Sequence, residues 1–239
     1  MTRRRPVPDF HPLIDALKAL PHEDGLFNPY RSTAPVPTPA AFDEVGETAD
    51  AIRCANLQRH LENAMAAGAN VLLCGEAPGY QGCRFTGIAF TSEVQLAERR
   101  PELVGTQMLP EAQARRRRFM REPSAQAVWE AMERAPRPFL LWNSVQLHPH
   151  VPGTPLTNRT PRRSEVALGR DALQMLLELC QPRLVVAVGN TARDALAQFG
   201  IDIVVVRHPA YGGKTDFLRG LENLGVIAPP KPDPQGTLF

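Results

Sequence analysis

The chain has 239 residues, 43% of them apolar, and a formal net charge of +2. That is enough apolar material for the core of one large domain. No stretch approaches the ~20 apolar residues of a membrane span, and the basic start, Arg3 to Arg5, is not followed by the apolar run of a secretory signal. The four cysteines, Cys54, Cys74, Cys83 and Cys180, form no C-x-x-C pair; they read as reduced thiols of a cytoplasmic protein, not as disulfides or zinc ligands.

Of the 24 prolines, many fall in the first 40 residues and the last dozen. Residues 1–40 therefore read as a partly ordered extension and 226–239 as a Pro-rich tail. Within the first stretch, Leu13, Ala16, Leu17 and Leu20 share one helical face. A longer helix is expected from about Glu47 to Ala67, with Leu57, Leu61, Ala64 and Met65 inward and Gly68 as its stop. A strand follows at Val71 to Cys74. Helix is expected from the cap Ser92 to Arg100, and in parts from Glu111 to Ala135, interrupted at Pro123. A second strand spans Pro138 to Trp142. Thr160-Pro161 reads as a cap with Pro at the first helical position, opening one helix to Cys180. Then come a strand at Leu184 to Val188, a short helix from Thr191 closed by Gly200, and a strand at Ile203 to Val206.

The four strands are short, continuous runs rich in Val, Leu and Ile, the pattern of strands buried on both faces. Helix separates each from the next, which calls for crossovers and a parallel sheet. The expected fold is α/β, a three-layer α/β/α sandwich on a central four-stranded parallel sheet, over about residues 41–225. Ligands in such sheets bind outside the carboxyl ends of the strands. Those ends are Gly75-Glu76-Ala77-Pro78-Gly79, Asn143, Gly189-Asn190 and Arg207-His208-Pro209. An acid, an amide and an imidazole should therefore meet at one edge.

These segments carry a resemblance. Gly75-Glu76-Ala77-Pro78-Gly79 ends the first strand, Gly87-Ile88-Ala89-Phe90 follows, Asn143 ends the second strand, and His208-Pro209-Ala210 ends the last. Their order and placement resemble the uracil-DNA glycosylase superfamily over roughly Asn70 to Leu221. The resemblance implies excision of uracil, and of other deaminated bases, from DNA in base-excision repair, by a monomer. Glu76 and His208 become the catalytic candidates: Glu76 to orient water or stabilise the cationic sugar, His208 to donate a hydrogen bond to the departing base. Gly75, Ala77, Gly79, Phe90 and Asn143 become base-binding candidates, with Phe90 stacking on the base and Asn143 reading its edge. Arg84, Arg159 and Lys214 become phosphate contacts, and Tyr211 the wedge that fills the gap in the DNA.

Two positions depart from the family pattern. Ala77 stands where many members carry an Asp or Asn that handles the water. Gly79 stands where the tightest uracil-specific enzymes place a Tyr that excludes the thymine methyl, which leaves room unless Tyr80 fills it. Glu76 matches the iron–sulphur class, but its four-cysteine arrangement is missing from the sequence, so no cluster, cofactor or metal is expected and the chain resembles a cluster-free bacterial-type branch. His148 and His150, flanking Pro149, are too close together to suggest a metal site alone. Plainer readings stand beside these: Phe90 as a core aromatic, Asn143 as a turn residue, Arg115 to Arg118 as a solvated helix face. At the level of function, the alternative is a DNA-binding homologue with weak or no activity. A nucleotide-binding enzyme ranks last, because the Gly75 loop fits neither phosphate-binding motif.

Overall fold

The computed structural model describes residues 6–31, 47–98, 100–109 and 119–230. The basic runs Arg3 to Arg5 and Arg115 to Arg118, most of the Pro29 to Pro39 connection and the tail beyond residue 230 lie outside the described residues. In chain order the elements are α1 (His11–Ala19), β1 (Leu26–Phe27), α2 (Glu47–Ala66), β2 (Val71–Gly75), α3 (Cys83–Thr86), α4 (Glu93–Ala97), a 3-10 turn (Pro101–Leu103), α5 (Pro123–Arg134), β3 (Leu140–Asn143), β4 (His148–Pro149), α6 (Arg163–Leu168), α7 (Arg170–Cys180), β5 (Leu184–Val188), α8 (Asn190–Ala197), β6 (Ile203–Val206) and α9 (Lys214–Asn223).

The apolar runs pair into one parallel sheet in the order β3-β2-β5-β6. Side chains alternate across a strand, and the core divides accordingly. Leu72 and Cys74 of β2 face one apolar layer, with α1, α2, α7 and α8. Val71 and Leu73 face the other, with α5 and α9. The three-layer sandwich follows from that alternation. Replacing a fully buried Leu of the sheet by Ala would cost roughly 2–5 kcal/mol.

Three features differ from the sequence reading. Residues 6–31 are not a loose extension: Phe10, Leu13, Leu17 and Tyr30 are buried in the first core layer. Their partners are remote in sequence, since Arg53 Nε donates to the Pro29 carbonyl at 2.6 Å and Asn28 Nδ2 to the Leu17 carbonyl at 2.9 Å. The helix expected from Thr160 begins at Arg163 and breaks at Gly169. There the chain passes so close to Ser144 that a Cβ would lie 2.1 Å from its carbonyl oxygen. Finally, β1 and β4 form a small antiparallel ribbon that pairs Phe27 with His148.

Candidate active site

The strand order reverses direction at β2: the chain steps from β2 to β3 on one side and returns to β5 on the other. That is the switch point at which open parallel sheets leave a crevice. A cleft of about 840 Å³ opens there, lined among others by Glu76, Gly79, Thr191, His208 and Tyr211. Glu76 leaves the end of β2, and Thr191 sits in the first turn of α8, after β5. The Thr191 hydroxyl donates to Glu76 Oε2 at 2.6 Å, fixing the carboxylate across the crevice. The sequence placed Thr191 at the start of a helix but gave no sign of this role.

Gly75, Phe90 and Asn143 form a sealed wall beside the cleft. A Cβ on Gly75 would lie 2.4 Å from Phe90 Cζ and 2.8 Å from Asn143 Oδ1, so both side chains close on a position where only glycine fits. Register delivers the amide, because Gly75 of β2 pairs with Asn143 of β3. Asn143 is 3% exposed, and its Nδ2 is buried with no hydrogen-bond partner. Such an orphan donor is costly. Phe90 has φ 52, a left-handed backbone that a bulky residue rarely adopts. Its carbonyl accepts from Trp129 Nε1 at 3.0 Å. The same loop is held from below by Tyr30, whose hydroxyl donates to the Gly87 carbonyl at 2.7 Å. The N-terminal segment thus supports the wall.

His208 follows β6 and lines the cleft opposite. The Ala210 backbone N–H donates to its Nδ1 at 3.2 Å. In the neutral ring the proton then sits on Nε2, leaving that atom a donor. Burial lowers the His208 pKa below its ordinary 6.5, which favours this neutral form. Tyr211, at φ 51, is fully exposed at the cleft mouth. Lys214 is half exposed and pairs with Glu130 at 2.6 Å. An exposed pair of that kind is weak and can be exchanged for another anion.

The remaining sequence candidates separate. Ala77 and Gly79 line the cleft. Arg84 does not reach solvent: it is 1% exposed, its guanidinium lies 3.8 Å over the Phe27 ring, and Nη1 meets His148 Nδ1 at 2.8 Å. A phosphate role for Arg84 is therefore corrected to a structural one. Arg159 touches the cleft, but its guanidinium is engaged from within, by both oxygens of Glu165 at 2.7 Å and by the Gly25 carbonyl at 2.7 Å. Glu122 and Asn158, also in the cleft lining, were not singled out from the sequence. Nothing in their neighbourhoods along the chain marks them. Among the described residues, no group of three or more His, Cys, Asp or Glu side chains is placed to hold a metal ion.

Taken together, the α/β/α sandwich brings a carboxylate, an amide and an imidazole to one edge of the sheet, the carboxylate and the imidazole in the lining of one cleft. Residues 63–223 match the family model described as the Uracil DNA glycosylase superfamily. The chain belongs to that superfamily, and so to the DNA glycosylases in the general sense: hydrolases of the base–sugar bond whose partner is DNA. No curated protein matches the chain.

Proposed function

We propose that the protein excises uracil from DNA and leaves an abasic site, as the first step of base-excision repair. The observation that carries this reading is the sealed, unpartnered Nδ2 of Asn143 beside Phe90. A carboxamide offers a donor and an acceptor side by side, and uracil presents an oxygen beside a ring N–H on its pairing edge. A base extruded from the helix reaches this amide when the Phe90 ring turns off Gly75 to stack on it. As the bond from C1′ to the base nitrogen breaks, the electron pair leaves with the base. The His208 Nε2–H meets the negative charge on the base oxygen in this reading, supported by the Ala210 N–H that occupies Nδ1. The sugar becomes cationic, and Glu76, anchored through Thr191, stabilises it and orients the water that adds at C1′. That role falls to Glu76 because Ala77 has no group to offer.

In this reading Tyr211 fills the gap in the helix, Lys214 exchanges Glu130 for a phosphate, and the protein acts as a cytoplasmic monomer without a cofactor. The test is base release from labelled oligonucleotides carrying U:G, U:A, single-stranded U, T:G or hypoxanthine, followed by alkaline cleavage. Uracil release that disappears in His208→Ala is the expected result. Intact DNA binding with no release from any substrate would favour the non-catalytic reading instead.

A further inference from the structure

The loop that carries Phe90 is pinned at three points. The Asn56 amide donates to the Thr86 carbonyl at 2.9 Å, the Tyr30 hydroxyl to the Gly87 carbonyl at 2.7 Å, and Trp129 Nε1 to the Phe90 carbonyl at 3.0 Å. The loop also closes on itself, with the Thr86 hydroxyl donating to the Thr91 carbonyl at 2.8 Å. Gly87 has φ 78, and its Cα rests on α2: a Cβ there would lie 2.4 Å from the Arg53 carbonyl. Arg53 Nε in turn donates to the Pro29 carbonyl at 2.6 Å. Gly87 therefore sits in a socket made by Pro29, Tyr30 and Arg53, all of them before residue 63, where the family match begins.

The Tyr30 hydroxyl reaches a second loop as well. Gln146, a little beyond Asn143, brings its Oε1 to 3.3 Å from that hydroxyl, while its Nε2 is buried with no partner among the described residues. Tyr30 is fully buried, and burial raises its pKa well above the ordinary 10, so the proton stays on the oxygen. One hydroxyl thus stands between the loop of Phe90 and the loop that follows Asn143.

We propose that Tyr30 is a positioning residue for base recognition, its hydroxyl setting the spacing between Phe90 and Asn143 and so the slot that takes the base. This rests on the reading that Phe90 and Asn143 receive an extruded base. A slot that is loose before binding must be ordered by the base, and the cost falls on the base-dependent part of the affinity. Phosphate contacts carry no base information and do not pass through the slot.

The test titrates the full chain with two duplexes, one carrying a non-cleavable 2′-fluoroarabino uracil nucleotide and one undamaged. The quantity read is the ratio of the two dissociation constants. Tyr30→Phe keeps the ring and removes the hydroxyl. It should weaken binding of the uracil duplex about five- to tenfold and leave the undamaged duplex within about twofold of wild type. In a Phe90→Ala background the same change should add less than about twofold, because the ring that Tyr30 positions is gone. Gln146→Met removes the second acceptor and should compress the ratio about threefold, which also carries the test if Tyr30→Phe does not fold. Ile14→Val, a core change in α1 that removes no hydrogen bond to either loop, should lower Tm and leave the ratio as in wild type. An unchanged ratio in Tyr30→Phe or in Gln146→Met overturns the proposal. So does an equal effect of Tyr30→Phe with and without the Phe90 ring, or an equal compression by Ile14→Val. Selectivity for uracil that ignores Tyr30 sinks the positioning role alone. No selectivity for uracil in wild type sinks the base-extrusion reading, and this proposal with it.

Discussion

Phe90 and Tyr211 share a left-handed backbone, with φ 52 and φ 51, and almost nothing else. Phe90 is 5% exposed, packed on Gly75, with its carbonyl held by Trp129. Tyr211 stands fully in solvent at the mouth of the cleft. A bulky residue in this conformation costs about 1–3 kcal/mol. In the inner wall, packing and a hydrogen bond offset that cost and fix a shape. At the rim the strain holds a ring out where a duplex can meet it. Under the proposed function the wall recognises the base and the rim reaches the duplex, so changes to the two should fail differently.

The largest effect is expected from Gly75→Ala, which drives a Cβ into both Phe90 and Asn143. Losing base reading and stacking together, at about 1–3 kcal/mol each, should slow base release by up to about 10⁴-fold under single-turnover conditions. Next is His208→Ala, expected to cost roughly 10²–10³-fold in kcat, the scale of removing one preorganised donor. At the rim, Tyr211→Gly should weaken DNA binding by about ten- to a hundredfold, the worth of one stacking ring. It should also raise Tm, because glycine relieves about 1–2 kcal/mol of left-handed strain. Phe90→Ala would instead lower Tm along with activity, since it opens a cavity in the core. Equal behaviour of the two aromatic variants would erase the distinction between wall and rim.

The smallest effect is in pH. The His208 pKa is lowered from 6.5 by burial, so the neutral ring persists through neutrality; on protonation Nε2 keeps its hydrogen, but Nδ1 gains one and can no longer accept from the Ala210 N–H that orients the ring. The unfolded chain takes up the proton first, so stability and activity should both decline toward acid, and neither on the alkaline side of 6.5 on account of His208. A pH–rate profile of wild type, read beside that of His208→Ala, isolates this limb.

The sheet and its edge were legible because they depend on local pattern. Continuous runs such as Leu184 to Val188 fit strands buried on both faces, although Ile203 to Val206 is an edge strand with Val205 exposed, and the end of a strand places Glu76, Asn143 and His208. What escaped depends on pairings between distant segments. Arg84 reads as a basic loop residue until Phe27 and His148, brought beside it by the β1–β4 ribbon, take its charge inside. Arg159 had a nearer signal, since Glu165 lies within reach in the same stretch. The prolines near the N-terminus suggested only partial order, but Phe10, Leu13 and Tyr30 among them are core residues. His148, set aside as a poor metal ligand, instead meets Asn158 in the cleft wall.

The central claim is that Asn143 Nδ2, buried without a partner, finds one in the base. The most direct measurement is the side-chain amide resonance of Asn143 in isotope-labelled protein, assigned by its loss in Asn143→Ala. It would be followed during titration with a duplex carrying one non-cleavable uracil nucleotide. A downfield shift of the Nδ2 protons that saturates with binding is the predicted result. Saturable DNA binding that leaves the resonance where it was would contradict the account.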